Sequence, residues 1–171
     1  MRMRVARSNP EEFMPRPHGE PSADRISAVI ADHLHLEGPL LPMLHAMQEE
    51  FGHVPQAAVD PIAAALNIGK AEVHGVISFY HDFREAPAGR HVVKICRAEA
   101  CQSVGGDTLA EATLAKLGLD WHGTTKNGAV TIEPVYCLGL CACAPAAMVD
   151  GKVVGRVDEA KMATILKEAG A

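Results

Sequence analysis

Aromatic side chains are scarce, seven among 171 residues or 4%, which argues against a platform for stacking bases or sugars. Cysteine is missing from the first 95 residues. No apolar run is long enough to cross a bilayer, because the longest uncharged stretch, residues 134–149, is broken by Gly139 and Pro145. The amino terminus has no apolar signal core either. Arg2, Arg4, Arg7 and Arg16 alternate there with Glu11, Glu12 and prolines, and the early acidic pair argues against a transit peptide. The expectation is a cytoplasmic protein without direct membrane contact, in a reducing compartment where clustered cysteines hold metal more often than disulfides. With 48% apolar and 22% charged residues and a formal charge of −5, wholesale disorder is excluded.

The chain reads as three parts. Residues 1–21 carry Pro10, Pro15, Pro17 and Pro21 among charges and are expected to form an extended arm. Residues 22–84 repeat apolar positions at helical spacing: Ile26, Val29 and Ile30, then Leu40, Leu44, Met47 and Phe51. Ser22 or Asp24 is placed as the first cap and Gly52 as a stop. A third stretch from Pro55 is expected to restart at Asp60-Pro61. After a turn at Asn67 to Gly69, a fourth helix is expected from Ala71 to Phe83. In residues 85–171 the period changes. His91-Val-Val-Lys-Ile95 reads as a strand leading into Cys96, and Ala129 to Tyr136 as a second leading into Cys137. A helix opens near Gly105-Gly106-Asp107, a hairpin turns at Asp150-Gly151, and Asp158 caps a last helix. The expected fold is α+β: an N-terminal helical bundle followed by a compact α/β domain.

Five cysteines occupy that second domain. Cys96-x4-Cys101 and Cys137-x3-Cys141 each start at the end of an expected strand, so both pairs belong on loops at one edge of a sheet. Four thiolates from two adjacent loops can surround one metal centre. Zinc accepts four sulfurs but usually uses tighter C-x2-C knuckles, whereas a [2Fe–2S] cluster needs two thiolates for each iron and suits wider loops. The cluster with its thiolates is a dianion that becomes a trianion on reduction, and N–H groups of Gly105, Gly106 and Gly139 are candidate donors to it. Arg97 is either a positive charge that raises the potential or a solvated loop residue. No C-x-x-C for dithiol chemistry and no C-x-x-C-H for haem occurs, and no histidine lies near either pair for a Rieske centre.

Cys96-Arg-Ala-Glu-Ala-Cys101 with Gly105-Gly106, and Cys137-Leu-Gly-Leu-Cys141 followed by Ala144-Pro145, resemble the thioredoxin-like [2Fe–2S] ferredoxin subunits. These include the 24 kDa-type subunit of respiratory NADH dehydrogenase and its relatives in NAD-dependent formate dehydrogenases and NAD-linked hydrogenases. Gln48-Glu-Glu-Phe-Gly-His-Val-Pro55 and Glu72-Val-His-Gly-Val-Ile-Ser-Phe-Tyr80 extend the resemblance, which runs from about Leu40 to Val157. The string Cys-Arg-Ala-Glu-Ala-Cys-Gln-Ser is most similar to the gamma subunit of molybdenum-dependent, NAD-linked formate dehydrogenase. The resemblance implies a thioredoxin-like domain in which Cys96, Cys101, Cys137 and Cys141 hold one [2Fe–2S] cluster. It also implies an electron-transfer subunit without catalysis of its own, beside an FMN- and NAD-binding flavoprotein subunit and a molybdenum-containing catalytic subunit. FMN, NAD, further iron–sulfur clusters and the molybdenum cofactor would belong to those partners, and this chain has no Gly-rich dinucleotide loop.

Other residues read more plainly. Cys143 is expected to be a small packed residue, and His33 and His45 hydrogen-bonded residues on or near apolar helix faces. His74 and His81 stand two helical turns apart without a carboxylate partner. Residues 63–76 resemble a helix-turn-helix, which would make the protein a cluster-sensing DNA-binding regulator, but between Asp60 and Arg84 only Lys70 and Arg84 are basic, against Asp60, Glu72 and Asp82. A phosphate-binding face needs more positive charge, so no nucleic-acid partner is expected.

Overall fold

The computed structural model describes residues 21–171, so the expected arm, residues 1–20 above all, lies outside the described residues. The chain divides between Ala88 and Gly89 into two compact units. In the first, four helices follow one another: α1 (Ala23–His33), α2 (Leu40–Phe51), α3 (Gln56–Leu66) and α4 (Lys70–Phe79). Ser22 caps α1, its hydroxyl accepting from the Arg25 N–H. Gly52 ends α2 at φ 75°, donating to the Gln48 carbonyl. The residues that repeat at helical spacing meet in one core, where Met43, Leu44 and Met47 of α2 pack with Ile26, Ile30, Ile62 and Val73. Truncating one such side chain to alanine costs about 2–5 kcal/mol.

Two helix boundaries differ from expectation. The helix does not restart at Asp60-Pro61; α3 begins at Gln56 and carries Pro61 inside it. Proline removes one backbone bond toward Ala57, and Ala57 and Asp60 are solvent-exposed, so the lost bond falls on the wet side while Val59 and Ile62 keep the helix on the core. The fourth helix ends at Phe79, not Phe83. Tyr80 is extended, and the Gln48 side chain captures the next segment: Nε2 donates to the Asp82 carbonyl at 2.6 Å and Oε1 accepts from the Arg84 N–H at 2.7 Å. Phe83 thereby returns to the core beside the His45 ring. His81 consequently lies beyond α4 and does not share its face with His74.

The second unit is built on a four-stranded sheet in the order β2-β1-β3-β4. Its elements are β1 (His91–Cys96), α5 (Glu99–Gln102), α6 (Gly106–Leu117), β2 (Val130–Val135), β3 (Ala147–Val149), β4 (Lys152–Val154) and α7 (Glu159–Glu168). The central strand β1 runs parallel to β2 and antiparallel to β3. Parallel pairing requires a long crossover, and α6 supplies it. Val93, Ile95, Val130 and Ile132 form one core with Leu109 and Ala110 of α6 and Met162 and Leu166 of α7. Asp150-Gly151 turns the β3–β4 hairpin with φ 45° and 85°, both left-handed as a two-residue hairpin loop prefers. The Asp150 carboxylate ties the hairpin to β1, accepting from the Val92 N–H and contacting His91 Nδ1, each at 2.7 Å. Asp158 caps α7, accepting from the Lys161 N–H at 2.8 Å. No helix among the described residues is long and apolar enough to cross a membrane.

Candidate metal centre

The parallel register sets where the thiols go. Cys96 is the last residue of β1 and lies opposite Val135, the last residue of β2, so the two strands deliver their following loops to the same edge. Cys96 donates its N–H to the Ala146 carbonyl at 3.0 Å, and Arg97 donates to Val135 at 2.8 Å. Two residues past β2, Cys137 adopts φ 84°, a left-handed conformation that costs a non-glycine residue roughly 1–2 kcal/mol and marks the loop as functionally constrained.

Cys101 comes back beside Cys96 because α5 is a single turn between them. Gly106, the first residue of α6, makes this possible. A Cβ there would lie 2.6 Å from the Cys101 carbonyl oxygen and 2.8 Å from its carbon. Gly106 thus has a packing role, since only glycine lets α6 approach Cys101 so closely. Cys141 opens a short 3-10 turn (Cys141–Cys143), and the Ala144–Pro145 peptide after it is cis.

The four thiols form two pairs. Cys137 and Cys141 place their sulfurs 3.9 Å apart, and the Cys96 and Cys101 thiols are close enough to shift one another's pKa. A tetrahedral metal with metal–sulfur bonds of about 2.3 Å separates its sulfurs by about 3.8 Å, so the Cys137–Cys141 pair has the spacing of two ligands on one metal. Among the described residues, no three His, Cys, Asp or Glu side chains converge on a single ion. Two pairs of thiols match the two thiolates that each iron of a [2Fe–2S] cluster needs.

Backbone N–H groups already face these sulfurs. Cys137 accepts the Gly139 N–H at 3.4 Å, and nearby backbone N–H groups act on the buried thiols, those of Ala98, Cys137 and Leu138 on Cys96 and that of Ala146 on Cys101. The second loop's N–H groups thus reach toward the first loop's thiols. Burial raises the pKa of Cys96, but the donors from Ala98, Cys101, Cys137 and Leu138 outweigh it and hold the thiol below its ordinary value. Burial pushes Cys101 up, assisted by its bond to Cys96. Cys141 is also raised, first by its hydrogen bond to Cys137. The backbone donors thus favour negative charge on Cys96, while Cys101 and Cys141 are held toward the neutral thiol.

Nearby residues take other parts. Arg97 Nε lies 3.2 Å from Asp107 Oδ1, and its guanidinium carbon 5.3 Å from the Trp121 ring centroid, so its charge is shared with groups on the α6 side. Cys143 is partly buried against Gly155, where a Cβ would come within 2.8 Å of the Cys143 Cβ. His33 Nδ1 contacts the Val29 carbonyl at 2.8 Å. The donors Ala98, Leu138 and Ala146 carry no signal in their own side chains, because backbone supplies the chemistry. The run of small residues from Ala142 to Ala147 is the one trace of the close packing that aims Ala146.

The family model for thioredoxin-like [2Fe–2S] ferredoxins matches residues 26–170. The NADP-reducing hydrogenase subunit HndA of Solidesulfovibrio fructosivorans is 35% identical over 132 residues, covering 77% of each chain. A subunit of the NADH-quinone oxidoreductase of Pseudomonas aeruginosa is 33% identical over 136 residues, 78% of this chain and 82% of that one. Among solved structures, the air-oxidised NAD+-reducing [NiFe]-hydrogenase superposes with a TM-score of 0.63 at 22% identity. The superposition spans 76% of this chain and 22% of that one, and at this identity it speaks to the fold alone. On the family match and these identities, the chain belongs to the thioredoxin-like [2Fe–2S] ferredoxin family, whose members carry one [2Fe–2S] cluster.

Proposed function

We propose that Cys96, Cys101, Cys137 and Cys141 ligate a single [2Fe–2S] cluster and that the chain is the electron-transfer subunit of an NAD-linked oxidoreductase complex. The observation that carries the reading is the pairing of thiols from two loops that end neighbouring parallel strands, with 3.9 Å between the Cys137 and Cys141 sulfurs. When bound, the cluster takes up and passes on one electron at a time. The chain's own residues make that reversible. N–H groups of Ala98, Leu138, Gly139 and Ala146 lie where negative charge grows on the sulfurs, and burial of Cys96 and Cys101 excludes water from half of the centre.

The domain organisation we propose is a helical bundle, residues 22–84, that docks the subunit, and residues 85–171 as the redox domain, behind an arm of residues 1–21. The partner is an FMN- and NAD-binding flavoprotein subunit. For the whole complex, we read a cytoplasmic formate dehydrogenase with a molybdenum-containing catalytic subunit, because Cys96-Arg-Ala-Glu-Ala-Cys-Gln-Ser103 has that branch's form. A second reading, an NADH-quinone oxidoreductase or a hydrogenase, is favoured by the names of the relatives. Anaerobic purification tests the centre: two irons and two labile sulfides per chain with an EPR signal on reduction are expected, and stoichiometric zinc without sulfide overturns it. Co-purification tests the branch. Formate-dependent NAD reduction with a molybdenum-containing partner supports the first reading, and quinone reduction or hydrogen uptake selects the second.

A further inference from the structure

Arg156, in the connection between β4 and α7, has φ 51°. That left-handed conformation costs a non-glycine residue free energy, whereas glycine adopts it freely. The connection is strapped to the segment that follows Cys141. Gly155 sits so close to Cys143 that a Cβ there would lie 2.8 Å from the Cys143 Cβ and 2.9 Å from its carbonyl oxygen. Arg156 donates its N–H to the Cys143 carbonyl, Val157 donates to Pro145 at 2.9 Å, and Lys161 Nζ closes the strap on the Gly155 carbonyl at 2.8 Å. One hydrogen-bonded crossing and the short turn Cys141–Cys143 separate the Arg156 backbone from that of Cys141, a span of about 10 Å or less.

Charges around the thiol loops are few. Residues 134–149 contain no Asp, Glu, Lys or Arg. Arg97 is paired with Asp107 at 3.2 Å, so the two offset each other. Glu99 is an exposed anion on α5, beside the buried thiol pair, and Asp158 is occupied in capping α7. Arg156 is exposed, and its side chain makes no ion pair or hydrogen bond among the described residues. The strap dictates the left-handed backbone, yet a long cationic side chain is kept there at a cost that glycine would avoid. A strained residue fixed beside a site points to a function of its side chain. A cation meant only to attract a partner could stand on any exposed position; one that acts on the solvent-facing Cys137–Cys141 pair must be held at a set distance from it.

We infer that Arg156 is a charge-tuning residue, whose guanidinium beside the exposed thiol pair raises the reduction potential of the centre. The inference rests on the ligand set proposed above and adds the residue that sets the energy of the electron. On reduction one electron enters, no bond forms or breaks and no proton is taken up, so the dianion of cluster and thiolates becomes a trianion. A positive charge nearby stabilises the trianion more. At about 10 Å, with an effective dielectric between about 20 and 80, it favours the added electron about two- to fifteenfold, or about 20–70 mV for a one-electron couple.

The test uses the full chain, purified anaerobically and titrated with dithionite and redox mediators while the EPR signal of the reduced centre is followed. Iron, labile sulfide and a thermal melt are measured for each variant. Arg156→Gln keeps the strained backbone and removes the charge; its potential is expected to fall by about 20–70 mV, with iron, sulfide, EPR line shape and melt as in the natural chain. Arg156→Gly is expected to show the same fall together with a melt raised by about 2–8 °C, because the strain is relieved. Arg156→Lys is expected to keep the potential. So is Lys116→Gln, which removes an exposed cation about 15 Å along α6 from Gly106. In about 1 M salt, where the Debye length is about 3 Å, the gap between the natural chain and Arg156→Gln is expected to close by more than half. An unshifted potential or a loss of iron in Arg156→Gln, an equal fall in Arg156→Lys or Lys116→Gln, or a gap undiminished by salt overturns the tuning role. A lowered melt in Arg156→Gly overturns the strain that singles this residue out. Stoichiometric zinc without sulfide in the natural chain overturns the cluster and the tuning role together, and is distinct from an iron-loaded chain whose potential ignores Arg156.

Discussion

Replacing Gly106 by alanine puts a methyl group where the backbone of Cys101 already is. The added Cβ would lie 2.6 Å from the Cys101 carbonyl oxygen, 2.8 Å from its carbon and 3.2 Å from its Cβ. The obstacle is backbone, which cannot swing aside as the end of a long side chain would. To restore ordinary van der Waals contact the carbonyl oxygen must withdraw by about 0.8 Å. Overpacking of this kind costs about 1–3 kcal/mol, and alanine recovers part of the roughly 0.5–1 kcal/mol by which it surpasses glycine in a helix. A net loss of about 1–2 kcal/mol corresponds to a fall in Tm of roughly 4–15 °C for a unit of this size. The metal centre is less tolerant than the fold, because ligand geometry allows only about 0.2 Å. Gly106→Ala is therefore expected to remain folded but to retain less than about half of its iron and sulfide, measured chemically on anaerobically purified protein beside a thermal melt. Gly105→Ala is the control. Gly105 has φ 90° and nothing within 4 Å of its added Cβ, so it should lower Tm through backbone strain of about 1–2 kcal/mol and keep its iron. Full iron content and an unshifted melt in Gly106→Ala would refute the argument that this glycine positions Cys101.

Cys96→Ser and Cys137→Ser are expected to lose the centre and its reduced EPR signal, while Cys143→Ala keeps both; loss of iron in the last reassigns the ligands. Asp150→Ala removes two contacts of 2.7 Å and leaves alanine at φ 45°, so urea unfolding should show a loss of about 2–4 kcal/mol. Asp150→Asn, which tolerates that backbone and keeps an acceptor for Val92, should lose about half as much. Gln48→Ala severs both bonds to the segment after α4 and should cost about 1–3 kcal/mol; Gln48→Glu, which keeps only the acceptor, should fall between. Hydrogen exchange at the Arg84 amide reads this directly, and unchanged protection in Gln48→Ala counts against the clamp.

The sheet of the second unit was legible wherever side chains carried the signal. Val92, Val93 and Ile95 announce β1, Thr131 and Ile132 announce β2, and Asp150-Gly151 and Asp158 mark a turn and a cap through chemistry of their own. The elements that escaped are set by contacts distant in sequence. Four residues of α5 are too few to show a helical period. Phe83 continues the helical spacing of α4, yet Gln48, 35 positions earlier, decides where the chain leaves the helix. Pro61 looks like a helix start because local rules cannot tell which side of a helix is wet. Among the candidate site residues, the two cysteine pairs stood out by spacing, and Gly105-Gly106 stood out as glycine. Which glycine gives room and which gives a turn depends on the position of Cys101, and that is tertiary information.

The sheet order carries a consequence for how the protein is made. β1 is the first strand of its unit to leave the ribosome, yet it is the central one, flanked by β2 and β3. Cys96 and Cys101 therefore emerge ahead of both strands that pair with β1, and at about 5–20 residues per second they precede Cys137 by several seconds. The N–H groups that reach the early thiols come from Cys137, Leu138 and Ala146 as well as from Ala98. A nascent chain thus exposes one unfinished thiol pair before it has the means to shape it. On the proposed ligand set, all four sulfurs and the Ala146 N–H are in place only once residues up to the β3–β4 hairpin have been synthesised.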